Sequence, residues 1–205
     1  MNRKNDPTRL IIVRHGEVEA AGAMIGSTDS PLTSEGRETL KCVSRQLSSE
    51  PLAAIFSSDL SRSVESARIV AEPHGMEVTV EPSFRELDMG RWDGMEIKTL
   101  LERERDLMEA WWRDYENFKT PGGESLSELR ARVMGLLGGI IERYRGESVC
   151  VVAHGGVNRV ILLEAIGAPL NRFHSLGQEY GAVNRIDYYQ DGNAVVTLLN
   201  GPPCL

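Results

Sequence analysis

A three-layer α/β/α sandwich around a mostly parallel central sheet is the fold this sequence predicts. Short apolar runs rich in β-branched residues alternate with segments of helical periodicity, and that alternation implies a parallel sheet covered on both faces. No repeat or low-complexity linker interrupts it, so residues 1–205 read as one domain. One stretch, 95–123, departs from the alternation. It is charged, then aromatic, and reads as a small helical cap inserted over one end of the sheet.

The first buried strand is expected at Leu10-Ile11-Ile12-Val13 and the second at Ala53-Ala54-Ile55-Phe56. Val149-Cys150-Val151-Val152 and Ala194 to Leu199 read as two more, with weaker candidates at Val78-Thr79-Val80 and Val183 to Tyr189. A helix should open at Thr33-Ser34-Glu35 and run to about Ser49, where Pro51 stops it. A second, capped by Asp59 or Ser61, should extend through Ala71. The longest covers Glu124 to Tyr144, where Leu126, Leu129, Val133, Leu136, Leu137, Ile140 and Ile141 fall on one face. A short helix from Asn158 to Ile166 ends before Gly167.

The bulk composition narrows the class. A chain of 205 residues, 41% hydrophobic and 26% charged, can bury a core without metal or disulfide support. Cys42, Cys150 and Cys204 form no CxxC pair, and their odd number argues against a disulfide framework, so a reducing cytoplasm fits. The apolar run after the basic start is too short for a signal peptide, and no stretch is long enough to span a membrane. The net charge of −7 argues against nucleic acid as partner. An acidic chain that binds an anion must concentrate its positive charge at one place.

Two strand ends supply that place. Leu10 to Val13 runs into Arg14-His15-Gly16, and Val149 to Ala153 runs into His154-Gly155-Gly156. Ligand sites of open parallel sheets lie at the carboxyl ends of the strands, so neighbouring strands would bring His15 and His154 face to face. The glycines that follow would let the backbone approach a bound phosphate. The strand ending at Phe56 leads into a helix whose first turn carries Arg62, a planar fork suited to phosphate oxygens. Glu86, after the weak strand at Val78, puts a carboxylate at the same rim. A lone histidine after a strand is more often structural than catalytic. Two histidines, two arginines and a carboxylate, each behind a strand, argue for phosphoryl chemistry through His15.

The ordered motifs resemble the histidine phosphatase superfamily, which includes cofactor-dependent phosphoglycerate mutases. They are Arg14-His15-Gly16-Glu17, Gly26 to Thr33, Ser57 to Arg62, Phe84-Arg85-Glu86-Leu87, Gly90 to Gly94, Gly122 to Ser125 and His154-Gly155-Gly156. The resemblance implies that His15 is the phosphorylated nucleophile, that Arg14, Arg62 and His154 hold the phosphoryl group with Gly26 and Gly155 at the substrate, and that Glu86 gives and takes the proton. It implies no metal and no cofactor. Val18 and Ala21 stand where family members often carry Thr and Asn, which weakens one auxiliary phosphate contact. The short insertion and the Phe84 to Leu87 segment look like the phosphatase branch, and Gln178 to Val183 is similar to α-ribazole-5'-phosphate phosphatases of cobalamin biosynthesis. The expected partner is a small-molecule phosphomonoester, α-ribazole-5'-phosphate or a broad range of sugar phosphates. A mutase and a non-catalytic phosphate-binding module are the alternatives, and the sequence leaves a homo-oligomer open. Arg103, Arg105, Arg113 and Lys119 could form a second phosphate site, although solvated helix faces are the commoner reading. Trp111, Trp112, Tyr115 and Phe118 could wall a ring-bearing alcohol, although such residues more often pack into a core.

Overall fold

In the computed structural model, which describes residues 6–20 and 23–204, the strands are β1 (Thr8–Arg14), β2 (Leu52–Ser57), β3 (Val78–Val80), β4 (Ser148–Ala153), β5 (Val183–Tyr188) and β6 (Ala194–Gly201). They form one sheet in the order β3-β2-β4-β1-β5-β6. Strands β3, β2, β4 and β1 pair in parallel, and the two last strands add an antiparallel edge. The helices are α1 (Ser34–Leu47), α2 (Ser61–Ala71), α3 (Ile97–Arg103), α4 (Arg105–Arg113), α5 (Leu126–Arg143) and α6 (Gly155–Ala165).

Strand alternation sorts the core into two layers. Ile11, Val13, Ile55, Cys150 and Val152 face α1 and α2 through Leu40, Val43, Ala67 and Val70. Leu10, Ile12, Phe56, Val149 and Val151 face the other way, onto Leu129, Val133 and Leu137 of α5 and Val160 and Ile161 of α6. Leu100, Met108 and Trp111 of the 95–123 stretch join this second layer, and Trp92 packs edge to face on Trp111. The mixed sheet with helices on both faces is the expected sandwich.

Helix starts follow the capping chemistry where side chains are free to supply it. Thr33 accepts the Gly36 amide at 2.9 Å, and Ser125 with Glu128 forms a reciprocal capping box on α5. The start of α2 differs from expectation. Its N-cap is Leu60, with no side-chain bond, because the Asp59 carboxylate is engaged by Arg85. Helix α6 begins three residues earlier than its apolar pattern suggests, so Gly155 and Gly156 form its first turn and His154 is its N-cap. The β6 strand, expected to be buried, alternates between half-buried and exposed residues because it lies at the sheet edge.

The cysteine expectation is corrected. Cys42 on α1 and Cys204 are disulfide-bonded across 162 residues, and Cys150 is buried and free. The pairing arises because β6 returns the chain toward α1, a proximity that cysteine spacing does not reveal. A reducing cytoplasm loses the support that unpaired cysteines gave it. Among the described residues no helix is long and apolar enough to cross a membrane. Val18 is buried in an isolated bridge to Leu32, and Ala21 lies outside the described residues.

Candidate active site

Strands β1 and β4 pair in register with Arg14 opposite Ala153, so the next residue of each, His15 and His154, leaves the sheet at the same rim. Their ring centroids are 5.1 Å apart, edge to face. His15 Nδ1 lies 2.7 Å from the Gly16 carbonyl oxygen. A carbonyl only accepts, so Nδ1 carries the hydrogen and Nε2 keeps its lone pair. Burial pushes His15 well below the usual imidazole range, and Arg14 and Arg62 push it further. Burial does the same to His154, with His15, Arg62 and Arg14 adding to it. Both rings are therefore neutral near pH 7.

His154 Nε2 is 2.6 Å from Ser58 Oγ, the residue after β2. Arg62, in the first turn of α2, is 1% exposed; Nη1 donates to Thr28 O and Nη2 to Gly26 O, each at 2.8 Å. Asp29 stands 3.7 Å from Nη1. The Gly26 amide is taken by Asp93 at 2.8 Å, so Gly26 supports Arg62 and presents no free amide. Arg14 donates from Nη1 to Gln178 O and lies with its guanidinium carbon 3.9 Å from the centre of the Tyr180 ring. Three buried nitrogens, Arg14 Nε, Arg62 Nε and His154 Nδ1, have no hydrogen-bond partner among the described residues. Orphaned donors gathered around two neutral imidazoles fit an anion.

Glu86 stands at the start of α6. Its Oε2 accepts the Gly156 amide at 2.9 Å and its Oε1 accepts the Leu87 amide at 2.8 Å. A Cβ on Gly156 would lie 2.2 Å from Glu86 Oε1, so a side chain there would force the carboxylate to shift. At Gly16 a Cβ would strike the Gly36 carbonyl at 2.6 Å. Both glycines thus serve approach between protein segments, where the sequence suggested approach to a ligand. Gly155 lies between the guanidinium groups of Arg14 and Arg159, whose atoms a Cβ would meet at 3.5 and 3.4 Å. Next to Glu86 opens a cavity of about 200 Å³ walled by Met24, Met89, Trp111 and Phe173, with Arg159 and His174 among its lining residues.

All the candidate residues, His15, His154, Arg14, Arg62, Glu86, Gly26 and Gly155, gather at one rim. Sequence reasoning missed Ser58, Gly156, Arg132 and Arg159. Ser58 and Gly156 sit inside motifs that were read for their neighbours. Arg132 and Arg159 carry no local signal, since an arginine on a helix is ordinarily solvated. Of the four aromatics in the insertion, Trp111 walls the cavity, Tyr115 packs on Trp111 and His174, and Phe118 stacks on Trp92. Trp112 lies 49% exposed on an outer groove.

The carboxyl ends of the two central strands and their arginine-flanked imidazoles define an α/β protein built to take an anion at its strand ends. The chain belongs to the histidine phosphatase superfamily (branch 1), whose family profile matches residues 10–201, and with it to the phosphoric monoester hydrolases. It is 31% identical over 192 residues to phosphoserine phosphatase 1 of Hydrogenobacter thermophilus, covering 93% of this chain and 91% of that one. It is 33% identical over 188 residues to the probable phosphoglycerate mutase GpmB of Salmonella choleraesuis, covering 89% and 86%. The α-ribazole phosphatase of Shigella flexneri shares the fold at a TM-score of 0.88 and 24% identity, covering 97% of this chain and 98% of that one.

Proposed function

We propose that the chain hydrolyses small phosphomonoesters through a phosphohistidine on His15, without a metal ion. The observation that carries this reading is the His15 tautomer: Nδ1 is tied to Gly16 O and Nε2 is the free nucleophile at a rim lined by Arg14, Arg62 and His154. Nε2 attacks phosphorus, the ester P–O bond breaks, and the departing oxygen takes the proton of Glu86. Water then attacks the phosphohistidine, its proton returns to Glu86, and the P–N bond breaks to release phosphate. Arg14 and Arg62 offset the charge on the phosphoryl oxygens. His154 donates from Nδ1 while its Nε2 accepts the Ser58 hydroxyl hydrogen, a chain that the 2.6 Å contact and the orphaned Nδ1 support.

The cavity beside Glu86 is where the leaving alcohol would sit. Its Trp111 and Phe173 walls favour a ring-bearing or sugar alcohol, and α-ribazole-5'-phosphate is one such substrate. A mutase is less favoured. Arg103, Arg105 and Arg113 are exposed and Lys119 is paired with Glu128, so none of them equips this cavity for a second phosphate. Incubation with a panel of phosphomonoesters, and separately with 3-phosphoglycerate plus its bisphosphate, tests the assignment. Free phosphate and an acid-labile phosphoenzyme lost in His15→Ala are expected. Isomer exchange without phosphate release would establish the mutase, and binding without turnover a recognition module.

A further inference from the structure

The cavity beside Glu86 contains a cation that the phosphoryl chemistry does not use. Arg159, in the second turn of α6, donates from Nε to Leu176 O at 2.8 Å and lies with its guanidinium carbon 5.3 Å from the centre of the Phe173 ring. These two contacts fix the guanidinium plane. Among the described residues neither Nη makes a hydrogen bond or an ion pair, and Arg159 lines the cavity together with Glu86. Burial lowers its affinity for its own proton, an effect that the Glu86 charge opposes.

Charge balance shows what is missing. A phosphoryl dianion offsets Arg14 and Arg62, and Arg132 is paired with Glu124. Glu86 is the carboxylate nearest to balancing Arg159, yet in the proposed reaction Glu86 must be protonated when substrate is bound. Arg159 then stands half-buried against Met24, Trp111 and Phe173 with only the solvent-exposed Glu179 acting on its charge, an arrangement that a carboxylate brought by the substrate would relieve. A planar fork with two free Nη groups is matched end-on by a carboxylate. A second phosphate fits less well, because a dianion calls for more than one cation and Arg159 is, among the described residues, the sole arginine or lysine lining this cavity. His174, the other basic residue there, is shifted toward its neutral form by partial burial and by Arg159 itself.

We propose that Arg159 is a specificity-determining residue that binds a carboxylate on the leaving alcohol. The preferred substrates are then small phosphomonoesters in which a short apolar or ring-bearing skeleton joins the phosphate to a carboxylate. This rests on the phosphomonoesterase reading and narrows its substrate class.

The test compares phenyl phosphate with 3-carboxyphenyl phosphate, using kcat/KM in the wild type, Arg159→Met and Arg159→Lys. The wild type should prefer the carboxylated ester at least tenfold, the methionine variant should show a ratio near one, and lysine should restore part of the preference. A wild-type ratio at or below one, or a ratio unchanged in Arg159→Met, overturns the proposal. The same pair of structures as non-hydrolysable benzylphosphonates, with and without the carboxylate, is titrated into the wild type by calorimetry. Tighter binding of the carboxylated phosphonate is expected, and equal binding overturns the role of Arg159 even if Arg159→Met does not fold. If neither ester is hydrolysed, the phosphomonoesterase reading fails, while the phosphonate titration still decides the carboxylate site.

Discussion

Arg132 donates from Nη2 to the carbonyl oxygen of Glu86 at 3.0 Å, and from Nη1 to the carbonyls of Ser83 and Arg85 at 2.8 and 2.7 Å. Its Nε and Nη2 pair with Glu124, whose Oε1 also accepts the Asp88 amide at 3.0 Å. One guanidinium on α5 therefore holds the loop that presents Glu86, 46 residues away, without being a proton donor itself. Arg132→Met should lower kcat ten- to a hundredfold on alkyl phosphates, whose leaving oxygen needs a proton, and by less than threefold on p-nitrophenyl phosphate, whose leaving group needs none. Equal losses on both esters would mark general loosening and rule out a positioning role.

The buried histidines predict how stability depends on pH. Both have folded-state pKa values held below the ordinary imidazole value by burial and neighbouring positive charge. As pH falls below the unfolded value of about 6.5, the unfolded chain takes up protons that the folded chain refuses, so stability is full above that pH and declines below it. Each histidine contributes a slope of up to about 1.4 kcal/mol per pH unit. Urea midpoints should be level from pH 7 to 8 and fall between pH 6.5 and 5.5 in phosphate-free buffer. His15→Asn should make that fall shallower.

Ser58→Ala removes the partner of a fully buried His154 Nε2. An unsatisfied buried polar atom costs about 1–3 kcal/mol, and the imidazole loses the contact that fixes its ring orientation. The melting temperature should drop, and kcat should drop more than KM changes. Steady-state kinetics beside a melting curve separates this from the expectation for an ordinary surface serine, in which neither changes.

The Cys42–Cys204 bond closes a loop of 162 residues, for which the chain-entropy account gives an upper bound of roughly 5 kcal/mol. The segment it secures supports the site indirectly. The Glu179 amide donates to Asn200 Oδ1 at 2.8 Å, and a Cβ at Gly181 would lie 3.3 Å from Pro203. Cys204→Ser should therefore lower the denaturant midpoint and increase hydrogen exchange across 178–182, the segment that carries Tyr180 and the carbonyl bonded to Arg14. Exchange unchanged there would confine the bond's effect to global stability.

The site was most legible where chemistry sits immediately behind a strand. Apolar β-branched runs are short and sharply bounded, so spacing alone puts the residues that follow β1 and β4 at one rim of the sheet. Helical arginines were not legible in this way. The partners of Arg132 are backbone carbonyls far along the chain, and those of Arg159 are a carbonyl and an aromatic face, none of which leaves a mark on local spacing. The β6 strand was misjudged as buried because its apolar content is high, and an edge position shows only in the alternation of exposure along Ala194–Gly201. The α6 start lies ahead of its apolar pattern because Gly155 and Gly156 carry no side chain that could mark the first turn.

The contact between Gly156 and Glu86 also bears on which part of the site a substitution at that position would reach. A methyl group at position 156 would press on the far end of the Glu86 side chain, whose carboxylate would have to shift from the Gly156 amide. Proton transfer, rather than phosphate recognition, is thus the function that a change there would touch first.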